Sequence, residues 1–116
     1  MKSILGIGNA LTDILSFLPD DELLLRFHLP KGSMQHVDQT TGDKIWKILK
    51  PMGIQYVAGG SAANTISGAA IFGMEAGFIG KVGDDELGSL FKADIEQNGV
   101  KSTLLKGKAS SGRAMV

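Results

Sequence analysis

The chain has 116 residues, enough for one domain with a core, and its twelve basic and twelve acidic side chains balance to a formal charge of zero. That balance argues against a delocalised basic surface for nucleic acid and favours a small-molecule partner. Cysteine is absent, which excludes disulfides, thiolate catalysis and cysteine-based zinc sites, and no run reaches the ~18 apolar residues that span a bilayer. Met1-Lys2-Ser3 leads into a short apolar segment rather than a signal peptide, so a soluble, cytoplasmic protein is expected.

Ile4 to Ile7 is a continuous apolar run ended by Gly8 and Asn9, the pattern of a buried parallel strand that delivers a polar turn at its carboxyl end. Ligands often bind at such strand ends. Asp13 to Leu18 predicts a second extended segment, and Pro19-Asp20-Asp21 predicts a short helix over Glu22 to Phe27, closed by Pro30-Lys31-Gly32. Thr40-Thr41-Gly42-Asp43 precedes Ile45, Trp46, Ile48 and Leu49, an amphipathic helix that should stop near Pro51. Gln55 to Val57 reads as a strand, residues 62–72 as a helix ended by Gly73, and residues 76–82 as another strand. Asp84-Asp85-Glu86 then opens a helix bearing Leu87, Leu90, Phe91 and Ile95, which Asn98-Gly99 closes. Alternation of strands and helices points to an α/β fold with a mainly parallel sheet covered on both faces.

The most informative stretch is Ala58-Gly59-Gly60-Ser61-Ala62-Ala63-Asn64, followed by Ser67 and Gly73. A glycine pair places no side chain between backbone and ligand and tolerates backbone angles other residues avoid. Ser61 offers a helix-capping hydroxyl, and Ala62, Ala63, Ile66, Ala69, Ala70 and Gly73 are spaced to line one buried face, with Asn64 as the polar exception. Asn9 and Asp13 carry the chemistry of polyol recognition: a carboxylate accepts from vicinal hydroxyls, and an amide donates and accepts. The same residues also suit a ligand-free turn, since Asn and Asp bond nearby backbone, a glycine pair makes a tight strand-to-helix connection, and Asn64 can be a satisfied polar group in a buried helix. Gly6-x-Gly8 has Leu11 where a dinucleotide fingerprint needs its third glycine, and Gly80-Lys81 lacks both the upstream glycine, at Glu75, and a following Ser or Thr. His28 and His36 have no ligand cluster beside them, and Asp84-Asp85-Glu86 is explained by helix capping, so no metal site is expected in this chain. Arg113, in the final strand-like run, has two readings, a contact to a polar substrate group or a solvated residue, of which the second is favoured.

Gly59-Gly60-x-x-x-Asn64-x-x-Ser67 resembles the first signature of the PfkB, or ribokinase-like, family of sugar and nucleoside kinases. Ile4-Leu5-Gly6-Ile7-Gly8-Asn9-Ala10-Leu11-Thr12-Asp13 is similar to that family's first strand and sugar-binding turn, and Phe78 to Gly88 to the strand-to-helix segment after the signature. The four-residue step from Asn9 to Asp13 is more like adenosine kinases than ribokinases. The resemblance implies a ribokinase-like fold with a small β lid, here contributed by about 13–37 and 108–116. It also implies a substrate pocket of Asn9, Asp13, Gly59, Gly60, Ser61 and Asn64, none of them a catalytic base. The implied activity is transfer of phosphoryl from ATP, with Mg²⁺, to a hydroxymethyl group of a sugar or nucleoside, adenosine foremost; a homodimer through the lid occurs in parts of the family. Members are much longer and carry an Asp-Thr-x-Gly-Ala-Gly-Asp-like motif with the base, the anion hole and most of the ATP site. No such motif occurs here, and Arg113-Ala114-Met115-Val116 reads as an apolar strand with nothing to close it, so an N-terminal, acceptor-binding part of a longer kinase is expected, inactive alone. The rival readings are a non-catalytic sugar or nucleoside binding module and an α/β domain whose glycine pair serves packing alone.

Overall fold

The computed structural model describes residues 2–116. The chain divides into two compact units: residues up to Ile14 with Tyr56–Val116, and Leu15–Gln55.

In the first unit, β1 (Ser3–Ile7), β4 (Glu75–Gly83) and β5 (Val100–Gly107) form a parallel sheet in the order β1-β4-β5, with Leu5 beside Gly77 and Ile79 beside Thr103. The helices α3 (Ser61–Ile71) and α4 (Glu86–Gln97) pack on one face. Alternation along β4 sends Ala76, Phe78 and Val82 into that face, where they meet Ala63 and Ile66 of α3 and Phe91 and Ile95 of α4. The Phe78 and Phe91 rings lie 5.8 Å apart at 51°, a tilted pairing that stabilises the centre of the core. The parallel α/β sheet is therefore as expected, but within this chain helices cover one of its faces. Leu5, Ile7 and Leu105 project from the other and are exposed, so β1, read as fully buried, is buried on one side only.

A second sheet joins β3 (Gln55–Gly59), β2 (Leu11–Leu15) and β6 (Gly112–Met115) in the order β3-β2-β6. β2 and β6 run parallel, with Thr12 beside Arg113 and Asp13 beside Ala114. β2 starts and ends earlier than the expected Asp13 to Leu18, because Thr12 and Ile14 are the residues that alternate into the interior. β5 escaped the sequence reading: only Val100 is apolar and fully buried, Ser102 interrupts the inward series, and Leu105 points outward.

The second unit holds α1 (Glu22–Arg26) and α2 (Gln39–Leu49). His28, just past α1, has a φ of 53°, so it serves a turn. α2 begins before the expected boundary because Asp38 caps it, accepting from Thr41 N–H at 2.7 Å. It stops as expected ahead of Pro51, in a 3₁₀ turn over Lys50–Met52, and the Lys50 ammonium lies 4.3 Å from the centre of the Trp46 ring. No helix among the described residues is long and apolar enough to cross a membrane.

Candidate functional site

The glycine pair sits where β3 ends and α3 begins, and each glycine makes a specific close approach. A side-chain carbon on Gly59 would lie 2.5 Å from Asp13 Oδ1 and 2.7 Å from Oδ2, so the missing side chain is what lets the Asp13 carboxylate lie over this backbone. One on Gly60 would lie 2.7 Å from the Asn9 carbonyl oxygen, and Gly60 itself has a φ of 96°, a conformation that L side chains rarely adopt. Residues 46 or more positions apart in sequence thus meet through two absences of a side chain.

Gly60, rather than Ser61, is the N-cap of α3. Ser61 is the first helical residue, and no side chain caps the helix; the expected capping hydroxyl is corrected by the backbone angle, which only glycine accommodates easily at the junction. Asn64 closes the first turn by donating its N–H to the Gly60 carbonyl at 2.9 Å. Its side chain is exposed, as are Ser61 and Asn9, so Asn64 is not a polar group buried in a helix interface. Of the apolar face expected on α3, Ala63 and Ile66 are buried and Ala62 and Ala70 pack against the core, while Gly73 ends the helix, donating to Ala70 as Met74 donates to Ala69.

Asp13 is the chemically distinctive group. Burial pushes its carboxyl pKa up from the ordinary aspartate value, and no cation or hydrogen-bond donor among the described residues offsets that push. A half-buried carboxylate without a partner is an unmet demand for hydrogen-bond donors, and clusters of that kind concentrate at functional sites.

Asp85 behaves in the opposite way. Burial works against its charge, but the Ser111 hydroxyl, the Ser111 N–H and the Gly88 N–H, with Arg113 nearby, outweigh burial and hold its pKa below the ordinary value. Asp85 caps α4, as expected; of its neighbours, Asp84 pairs instead with Lys106 at 3.2 Å, in the open. Sequence reasoning missed four bonds, made by three pairs of residues, that tie the second sheet and the approach to β6 to α4 and its cap. Thr12 Oγ1 donates to the Leu87 carbonyl at 3.0 Å, Ala58 N–H donates to Asp94 Oδ2 at 2.6 Å, and Ser111 donates to Asp85 from its N–H and its hydroxyl at 2.8 and 2.6 Å. These partners are 75, 36 and 26 residues apart, and nothing local in the sequence announces them.

A depression of 540 Å³ lies elsewhere, between α4 and β5, bordered by Val82, Lys92, Glu96, Leu104 and Lys106. None of the six predicted site residues lines it. It flanks the open edge of the core at β5. Among the described residues no three His, Asp or Glu side chains cluster closely enough to hold a metal ion.

The sequence model for the pfkB family carbohydrate kinases matches residues 35–116. This chain belongs to that family. The match includes the glycine pair, Ser61 and Asn64 and begins after Asn9 and Asp13. A 5-dehydro-2-deoxygluconokinase from Geobacillus kaustophilus (strain HTA426) is 30% identical over 89 residues, 77% of this chain and 26% of that protein. Among solved structures, the adenosine kinase from Sinorhizobium meliloti superposes with a TM-score of 0.76 at 36% identity, covering 96% of this chain and 34% of that one. A probable sugar kinase from Rhizobium etli CFN 42 gives 0.71 at 31% identity, with 96% and 33% covered. The pfkB chain described here thus spans about a quarter of that curated relative and a third of those solved chains.

Proposed function

We propose that this chain forms the acceptor-binding part of an ATP-dependent kinase that phosphorylates a hydroxymethyl group of a sugar or nucleoside. The observation that carries this reading is the half-buried, unpartnered Asp13 carboxylate lying over Gly59. Two adjacent hydroxyls of a furanose are suited to it, because each donates to one carboxylate oxygen and supplies what burial has removed. Charge-assisted bonds of this kind contribute about 1.5–3 kcal/mol each. Asn9, whose backbone carbonyl lies against Gly60, carries an exposed amide suited to a further hydroxyl, and the uncapped first turn of α3 carries the exposed polar side chains of Ser61 and Asn64. Their task is to fix the acceptor so that one hydroxymethyl group faces the phosphoryl donor, and positioning of that kind supplies much of the rate in phosphoryl transfer.

ATP supplies the phosphoryl group and Mg²⁺ neutralises its charge when bound. The six residues suit neutral hydroxyls better than phosphates, since Asp13 would repel an anion. We assign the nucleotide and its metal to parts of the kinase fold other than those formed by these 116 residues. Adenosine is the first acceptor to test, given the 36% identity to an adenosine kinase; a keto sugar acid is the second, given the curated relative named above.

The test is ADP formation from Mg-ATP by the full polypeptide carrying this chain, with adenosine, ribose, fructose and a keto sugar acid in parallel. Turnover with one acceptor, lost in Asp13→Ala, is the expected result. A folded protein that turns over none of them would overturn the kinase reading and leave a binding module, for which calorimetry with the same acceptors is decisive.

A further inference from the structure

The segment Gly83 to Gly88 contains more bonding than a helix cap requires. Capping α4 uses one acceptor, Asp85 Oδ1, for the Gly88 N–H at 2.9 Å. Asp85 accepts two more bonds, both from Ser111, and the Ser111 hydroxyl oxygen accepts in turn from Gly83 N–H at 2.9 Å. The result is a connected network in which Asp85 and Ser111 are doubly bonded to each other, Gly83 N–H donates to Ser111 and Gly88 N–H donates to Asp85. The two glycines are what allow Ser111 to approach so closely: a side-chain carbon on Gly83 would lie 2.8 Å from Ser111 N, and one on Gly88 would lie 3.0 Å from Ser111 Oγ and 2.6 Å from the Gly83 carbonyl oxygen.

Ser111 is buried, and the next residue, Gly112, starts β6. β6 lies in parallel register with β2, so Ala114 is the neighbour of Asp13. β2 is held independently to the same turn of α4 by the Thr12 bond to Leu87, one residue before Asp13. The start of α4 therefore grips the strand that carries the candidate acceptor carboxylate, through Thr12, and the residue that leads into its neighbour β6, through Ser111.

We propose that Asp85 is a positioning residue for the kinase reaction: through Ser111 it sets the place of β6 beside β2 and thereby holds Asp13 in the geometry that binds the acceptor. This inference rests on the reading of Asp13 given under the proposed function. Asp85 touches neither acceptor nor nucleotide, and its influence passes entirely through the β6–β2 pairing.

Two substitutions separate this role from simple capping. Asp85→Asn keeps one oxygen for the Gly88 N–H but replaces the acceptor facing the Ser111 N–H with a donor. Ser111→Ala leaves the cap and the backbone bond intact and removes the hydroxyl bridge. Both are made in the full polypeptide carrying this chain, and amide hydrogen exchange is read alongside steady-state kinetics. Exchange at residues 112–115 should quicken by about tenfold while β4 stays protected. Acceptor KM should rise by about tenfold, with ATP KM within about twofold of the parent. Unchanged exchange at 112–115, equal loosening of β4, or a loosened β6 with an unaltered acceptor KM would each overturn the proposal. If the parent protein phosphorylates no acceptor, the proposed function falls by that result alone, and the exchange comparison still decides whether Asp85 sets β6.

Discussion

The N-terminus of α3 is formed by Gly60, which has no side chain to cap the first turn, whereas α4 begins at Asp85, whose carboxylate is fully engaged by Gly88 and Ser111. The aspartate near each start follows the same division. Asp13, beside the α3 junction, is desolvated and unpartnered with a raised pKa, and Asp85 is partnered with a lowered one. Two helix starts on one sheet face have thus been put to different uses. One carboxylate has its hydrogen bonds satisfied within the fold; the other has no donor among the described residues, which is what supports its proposed role toward an acceptor. An unsatisfied buried carboxylate weakens the fold, and such a group persists where function requires it.

The contrast is broken most directly at Asp13. Asp13→Asn should reduce acceptor affinity by roughly 100-fold, because one acceptor oxygen becomes a donor and the bond to the other loses its charge assistance, as read by calorimetry or by kcat/KM. The same variant should unfold no more easily than the parent in urea, because the charge it removes is one the fold disfavours. A clear loss of stability would mean that Asp13 is a structural residue like Asp85. Gly60→Ala follows in size. A side chain there both meets the Asn9 carbonyl and must adopt a φ of 96°, so a loss of about 1–3 kcal/mol in unfolding free energy is expected, accompanied by weakened acceptor binding.

Acidification should separate the two carboxylates in sequence. Asp13 has a folded pKa above its unfolded value, so as pH falls through that raised pKa the folded state takes up the proton more readily and its relative stability increases. If the carboxylate binds the acceptor as proposed, acceptor binding should weaken in the same window, at higher pH than for an ordinary aspartate. Asp85 has a folded pKa below its unfolded value, so its contribution is complete above the unfolded pKa and disappears as pH falls through the folded one. Binding is therefore lost before the contribution of Asp85, a sequence that acceptor titrations and chemical denaturation at stepped pH would reveal; simultaneous loss would remove the distinction. The smallest effect belongs to Asp38→Ala in the other unit, which removes the cap of α2 and should lower stability by about 1 kcal/mol without altering acceptor affinity.

Much of this arrangement was legible from residue order. The apolar run at Ile4 to Ile7, the glycine pair, the stop at Gly73 and the Asn98-Gly99 closure follow from local rules, because backbone angles and capping bonds involve residues a few positions apart. The family was legible for a related reason: Gly59-Gly60-x-x-x-Asn64 and Gly83 to Gly88 are compact segments with demanding local geometry. β5 was missed because Ser102 and an outward Leu105 disguise a strand whose burial comes from its neighbour β4. The start of α3 was displaced by one residue because Ser61 is a good cap in isolation, while the junction with β3 requires the backbone angle of Gly60.

Sequence by itself determined the α/β class, the kinase family and the identity of the polar residues near the glycine pair, since each depends on short-range pattern. Tertiary structure decided which of those residues meet. The Asp13 carboxylate over Gly59, the Asn9 carbonyl against Gly60 and the Ser111–Asp85 bonds join segments 26 to 51 residues apart, counting from Asp85 to Ser111 and from Asn9 to Gly60. Whether a carboxylate is satisfied or left wanting depends on the donors that folding brings to it, and no window along the chain contains both.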